Sequence, residues 1–174
     1  NKIDLANSST IDNQYSYFNI EEYKTKGVST NLGFYRSDIE IIIGLSYIGK
    51  YNKLADAANI PEFNFSTDYN LSTILNIGNK TKMNLFYKHT GKITNFLMDE
   101  NNIIESYTDS YNLLDFSINR KIHESIILSI GGKNLLNISN IKRTNDLGAI
   151  HSSSNTTIPI GYGRTFFMNL NFRL

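Results

Sequence analysis

The last fourteen residues, Gly161-Tyr162-Gly163-Arg164-Thr165-Phe166-Phe167-Met168-Asn169-Leu170-Asn171-Phe172-Arg173-Leu174, alternate with a period of two. Phe166, Met168, Leu170, Phe172 and Leu174 fall on one side. Thr165, Asn169, Asn171 and Arg173 fall on the other, with Phe167 the one apolar exception. This period marks a β-strand with unlike faces. It restricts the chain to folds that cover an apolar sheet face, with a second sheet as in a water-soluble sandwich or with lipid as in an outer-membrane barrel.

The same alternation recurs upstream. Ile3 and Leu5 leave a scrap of it, read as the end of a strand whose beginning is missing. Residues 14–36 then carry Val28, Thr30, Leu32 and Phe34 against Ser29, Asn31, Gly33 and Tyr35, with Gly27 as a candidate bulge. Residues 39–48 set Ile39, Ile41, Ile43, Leu45 and Tyr47 against Glu40, Ile42, Gly44 and Ser46, and the turn at Ser37-Asp38 makes these two strands a hairpin. Residues 65–77 (Leu71, Thr73, Leu75, Ile77) and 82–93 (Met83, Leu85, Tyr87) form a second hairpin around Gly78-Asn79-Lys80. Residues 104–119 (Leu114, Phe116, Ile118) and 124–136 (Ile126, Leu128, Ile130) form a third, with its turn expected at Arg120-Lys121. Longer polar segments separate the hairpins at 49–64, where Leu54 to Ala58 offers a helical turn, at 95–102, and at 137–161.

Connections therefore alternate short, long, short, long, short, long. Antiparallel outer-membrane barrels have this asymmetry, with tight periplasmic turns and longer outer loops. Asn31, Glu40, Ser46, Asn76, Asn84, Lys88, Asp115, Ser117, Ser129, Asn169 and Arg173 would face a wet lumen, and the Ile, Leu, Phe and Met rows would face lipid. Tyr47, Tyr69, Tyr111 and Tyr162, near the loop ends, are candidates for an interfacial aromatic girdle. A soluble β-sandwich produces the same alternation and is the bland alternative.

Bulk properties narrow the function. Seventeen Lys and Arg against sixteen Asp and Glu give a net charge of +1, without the strongly basic field that nucleic-acid binding usually leaves. Cysteine is absent, which removes disulfides, thiolate metal sites and cysteine nucleophiles. No apolar run approaches the ~20 residues of a spanning helix, and no secretory signal is visible. His89, His123 and His151 share no metal-ligand spacing. Gly161-Tyr162-Gly163 precedes a strand and so is a backbone hinge instead of a dinucleotide fingerprint. His151 with Ser152 to Ser154 lacks the acidic partner and nucleophile elbow of a hydrolase. No enzyme and no cofactor is expected.

Two further groups of residues carry a family resemblance. Gly131-Gly132-Lys133-Asn134-Leu135-Leu136-Asn137, then Gly148-Ala149-Ile150-His151-Ser152-Ser153, then Pro159-Ile160-Gly161-Tyr162-Gly163-Arg164-Thr165-Phe166-Phe167 resemble the C-terminal end of TonB-dependent outer-membrane receptors. Lys26-Gly27-Val28-Ser29 resembles that family's Lys/Arg-Gly-Val-Glu segment, with Ser29 where Glu is usual. The resemblance implies an all-β, antiparallel transmembrane barrel of the 22-stranded type, of which residues 1–174 supply the C-terminal seven to eight strands without the plug domain. It further implies a transporter in the outer membrane of a Gram-negative bacterium, importing a scarce ligand such as a siderophore, cobalamin, sugar or peptide. The implied partners are outer-membrane lipid, the rest of the barrel and its plug, TonB through the missing N-terminal part, the barrel-assembly machinery and, in some members, a surface lipoprotein. Arg164, His151, Lys133 and Tyr162, at the third long loop and the rim, are the candidate ligand contacts, although holding the loop to the rim is the better account of them. Phe166, Met168, Leu170, Phe172 and Leu174 match the spacing of the assembly signal, with Leu174 where the family usually ends in Phe. The rival is a self-contained eight-stranded barrel of the anchor or adhesin kind.

Overall fold

The computed structural model describes residues 3–7, 15–19, 24–52, 59–99, 102–144 and 155–172. Among these every regular element is a strand, and all pairing is antiparallel. In chain order the strands are β1 (Ile3–Asn7), β2 (Tyr15–Asn19), β3 (Thr25–Tyr35), β4 (Ile39–Tyr51), β5 (Phe63–Ile77), β6 (Thr81–Thr90), β7 (Ile93–Asp99), β8 (Asn102–Thr108), β9 (Tyr111–His123), β10 (Ile126–Lys133), β11 (Asn140–Thr144), β12 (Asn155–Pro159) and β13 (Thr165–Phe172).

Seven of them form one sheet, ordered β13-β10-β9-β6-β5-β4-β3. The three expected hairpins lie within it, and their tight turns share one end. Two sit where the sequence places them, after Tyr35 and after Ile77. The third is at Glu124-Ser125, not at Arg120-Lys121. Two charged residues in a row look like a turn, but Arg120 pairs with Thr81 and Leu128, and the Lys121 amide donates to the Lys80 carbonyl at 2.8 Å.

The long connections meet at the other end, and two of them contain strands. Of the segment expected as a loop at 95–102, residues 95–99 belong to β7 and Asn102 to its partner β8, and that expected at 137–161 contains β11 and β12. These four make a second sheet, ordered β12-β11-β8-β7. Gly91-Lys92 and Asp109-Ser110 are the breaks where the segments predicted at 82–93 and 104–119 leave one sheet for the other. Ser106, fully buried, ties β8 to β11 in this four-stranded sheet by donating to the Thr144 carbonyl at 2.5 Å. Gly27 is no bulge: it keeps register with Ile48, and a Cβ there would stand 2.7 Å from the Ile48 Cα. The proposed helical turn at Leu54 to Ala58 lies outside the described residues.

Register decides which side chains share a face, since opposed residues in an antiparallel pair point the same way. One such row reads Leu32, Ile43, Leu71, Tyr87, Leu114, and the row beside it Phe34, Ile41, Thr73, Leu85, Phe116, Gly132, Phe166. Rows on the opposite face read Gly33, Ile42, Ser72, Phe86, Asp115 and, nearer the loops, Asn31, Gly44, Asn70, Lys88, Leu113. Ten of the eleven residues assigned to the polar face sit on it; Arg173 lies outside the described residues.

No apolar side chain among the described residues is buried. Val28, Leu32, Ile43, Leu45, Ile130, Met168 and Phe172, all on the apolar face, are exposed. A sandwich of this size would sequester these rows against a second sheet; here they stand uncovered.

The candidate site at the rim

The loop end of the seven-stranded sheet collects the polar chemistry, and the Lys133-Asn134-Leu135-Leu136-Asn137 segment organises it. Asn134 and Asn137 adopt left-handed backbone angles, φ 50° and 59°, a conformation that asparagine tolerates better than most residues. β10 therefore ends in a turn closed by the Asn137 amide donating to the Asn134 carbonyl at 2.8 Å.

Side chains then tie this turn to the far side of the loop. The Asn134 amide group donates to the carbonyls of Ile138 (2.7 Å) and Tyr162 (3.1 Å), while its oxygen accepts from the Ile138 amide at 3.0 Å. Asn137 Oδ1 accepts the Arg164 backbone N–H at 2.9 Å. The Asn134 backbone N–H donates to Asp115 on the polar face at 2.8 Å. Thus the first foot of the third long connection is clamped to β9, and the second foot to the first, using the backbone of Tyr162 and Arg164 and leaving their side chains exposed.

Of the candidate contacts, Lys133, Tyr162 and Arg164 come together at this clamp, whereas His151 lies outside the described residues. Lys133 pairs with Thr165 and, with Asp115, Phe86, Phe167, Asn84 and Ser117, borders a hollow of about 210 Å³ on the polar face. Asn84 donates to Ser117 at 3.1 Å on its wall. Phe167, the exception in the final strand's alternation, has a role here. Its ring lies across Gly131, where a Cβ would stand 2.6 Å from the ring. Glycine opposite an aromatic lets that ring lie flat on the sheet. Of the assembly-signal residues, Phe166, Met168, Leu170 and Phe172 line the apolar side of β13, and Leu174 lies outside the described residues.

A second constellation occupies the loop end of the apolar face. Tyr47 stacks on Phe65 (centroids 4.6 Å apart), Tyr69 on His89 (4.5 Å), and Asn112 Oδ1 meets both the Tyr87 hydroxyl (2.8 Å) and His89 Nδ1 (2.7 Å). Tyr47 and Tyr69 sit here as expected. Tyr111 does not: it pairs with Thr90 on the polar face, because its neighbour Asn112 takes the apolar-face position opposite His89. Tyr162 stands outside any strand and is 92% exposed.

The sequence marked the Lys-Asn-Leu motif without revealing the clamp; two asparagines flanking Leu-Leu just after a strand were the available signal. Phe63 and Phe65 were hidden by their place in a segment read partly as loop. Among the described residues no group of His, Asp and Glu is arranged to hold a metal ion. No family model, curated protein or solved structure matches this chain.

Proposed function

We propose that this chain is wall and outer loops of an outer-membrane active transporter of the TonB-dependent kind, embedded in a Gram-negative outer membrane and importing a scarce ligand. The observation that carries the reading is the uncovered apolar face of the seven-stranded sheet, backed by a polar face across the same strands. From Ile39 to Tyr47 the apolar row of β4 extends ~27 Å along the strand, or ~20 Å across a layer at the usual ~40° tilt. That is close to the ~25 Å apolar band of such barrels.

Strand parity supports additional strands. β3 and β13, the two ends of an antiparallel series of seven, run in the same direction and are not paired with each other. Antiparallel closure therefore takes an odd number of further strands: one gives a ring of eight, fifteen a ring of twenty-two. The receptor-like motifs favour the larger ring. In it, the outer sheet β12-β11-β8-β7 belongs to the extracellular loops, and Arg164, Lys133, Tyr162 and His151 are the rim residues offered to ligand. The plug, TonB and the assembly machinery act through other parts of the protein.

The test is the intact mass of the native polypeptide extracted from the outer membrane, with capture of the periplasmic domain of TonB. A mass several-fold above the 19.8 kDa of this chain, with TonB retained, is expected. A 19.8 kDa polypeptide that ignores TonB would overturn the transporter in favour of the small barrel.

A further inference from the structure

We propose that the loop-end corner of the apolar face, where Lys26 lies on Phe63, is a site for the phosphate of a membrane-lipid headgroup. The proposal rests on the reading of this face as lipid-facing.

Register places Lys26 opposite Gly49, and Gly49 opposite Phe65, on the face that carries Val28 and Tyr47. Lysine is an unexpected member of that row. Gly49 is buried, and a Cβ there would lie 2.7 Å from the Phe65 ring, so the ring reaches across it. Phe65 stacks on Tyr47, Phe63 sits 6.5 Å from Phe65, and Tyr51 meets Phe63 edge-on at 5.7 Å. The result is a shelf of four rings on two neighbouring strands.

The Lys26 ammonium stands 3.8 Å above the centre of Phe63 and 5.9 Å from Phe65, and the Lys24 ammonium lies 5.1 Å from Tyr51. Ring faces attract the cation but supply no counter-charge. Among the described residues no carboxylate pairs with Lys26, and an ammonium seated on a ring keeps N–H groups directed away from that ring. Below it in β3 come Val28 and Leu32, 66% and 61% exposed. An anionic group at Lys26 with hydrocarbon running along Val28 and Leu32 is the shape of a phosphorylated lipid. Depth agrees, because Lys26 marks the level where apolar strand gives way to loop. At the opposite end of the same face Arg120 has no such shelf among the described residues, where it pairs with Thr81 and Leu128.

The full-length protein in detergent is titrated with diphosphoryl lipid A, or with the same lipid dephosphorylated, and lipid retention is counted by native mass spectrometry. Lys26→Gln is expected to raise the half-saturating concentration ~5-fold, the usual effect of one cation at a charged membrane surface. Lys26→Arg is expected to restore it, and dephosphorylated lipid to bind wild type and Lys26→Gln alike. Equal half-saturation of wild type and Lys26→Gln by diphosphoryl lipid would overturn the site. In parallel, a fluorophore on Leu45→Cys is exposed to a quencher carried on acyl chains. Quenching there with an unaffected Lys26→Gln overturns the phosphate site alone. Absence of quenching overturns the lipid-facing reading and the site with it.

Discussion

Ile42 and Ile43 are chemically identical neighbours that the register sends to opposite faces, and they permit a sharp comparison. Ile43 is the midpoint of the apolar row Ile39 to Tyr47, flanked by Leu32 and Leu71. Ile42 lies between Gly33 and Ser72, in the row that continues to Phe86 and Asp115. If the Ile43 face meets hydrocarbon, Ile43→Lys places an ammonium near the midplane, where a lysine costs ~2–4 kcal/mol in a barrel wall. That lowers the folded-to-unfolded ratio ~30- to ~700-fold. Ile42→Lys puts the same charge toward a watery interior and is expected to stay within ~1 kcal/mol. The measurement is urea unfolding of the full-length protein in phospholipid vesicles, followed by the mobility difference between folded and heat-denatured barrel on gels. Costs for the two variants that agree within ~0.5 kcal/mol would refute the two-faced wall.

Three other outcomes follow from particular contacts. Asn134→Ala removes three side-chain hydrogen bonds at the foot of the third connection, so the Ile138 amide should exchange ~10-fold faster or more in hydrogen-exchange mass spectrometry, given ~0.5 kcal/mol or more per bond. Asn134→Gly, which suits φ 50°, should show the same loss, tracing it to the bonds and not to the backbone. Gly27→Ala forces a methyl group against the β4 backbone at Tyr47 and Ile48, and should destabilise the wall by ~1–3 kcal/mol in the same urea assay. Because the chain has no cysteine, oxidation of a Ser129→Cys/Asn169→Cys pair, directly opposed in β10 and β13, should crosslink them, while Thr30→Cys/Met168→Cys should not; the reverse result would mean that β3 and β13 are neighbours.

The strands of the seven-stranded sheet were legible because each carries a strict alternation long enough to fix its face, as in Ile39 to Tyr47 or Phe166 to Phe172. The tight turns were legible where Ser-Asp or Gly-Asn-Lys marked them, with Gly78 at φ 59°. The four-stranded sheet was hidden because β11 and β12 are short and polar, opposing Lys142 to Thr157 and Arg143 to Thr156. β11 joins the rest of that sheet only through Arg143 opposite Thr108, 35 residues upstream, a pairing that local pattern does not encode. Arg120 and Lys121 were misread for a related reason: at the water-facing end of a strand, charge does not signal a turn. At the rim, sequence could nominate Lys133, Tyr162 and Arg164 but not show that Asn134 and Asn137 bind the backbone on either side of them. Side-chain clamps of this kind depend on chain path, and composition carries no trace of that.

The most direct test of the two-faced wall is a nitroxide scan of β4, residue by residue from Ile39 to Ile48, in the full-length protein reconstituted in phospholipid vesicles. The account predicts that labels at 39, 41, 43, 45 and 47 relax faster with oxygen, which concentrates in hydrocarbon, and that labels at 40, 42, 44, 46 and 48 respond instead to a water-soluble nickel complex or to neither reagent. Odd positions shielded from oxygen, or equal oxygen response at odd and even positions, would contradict it.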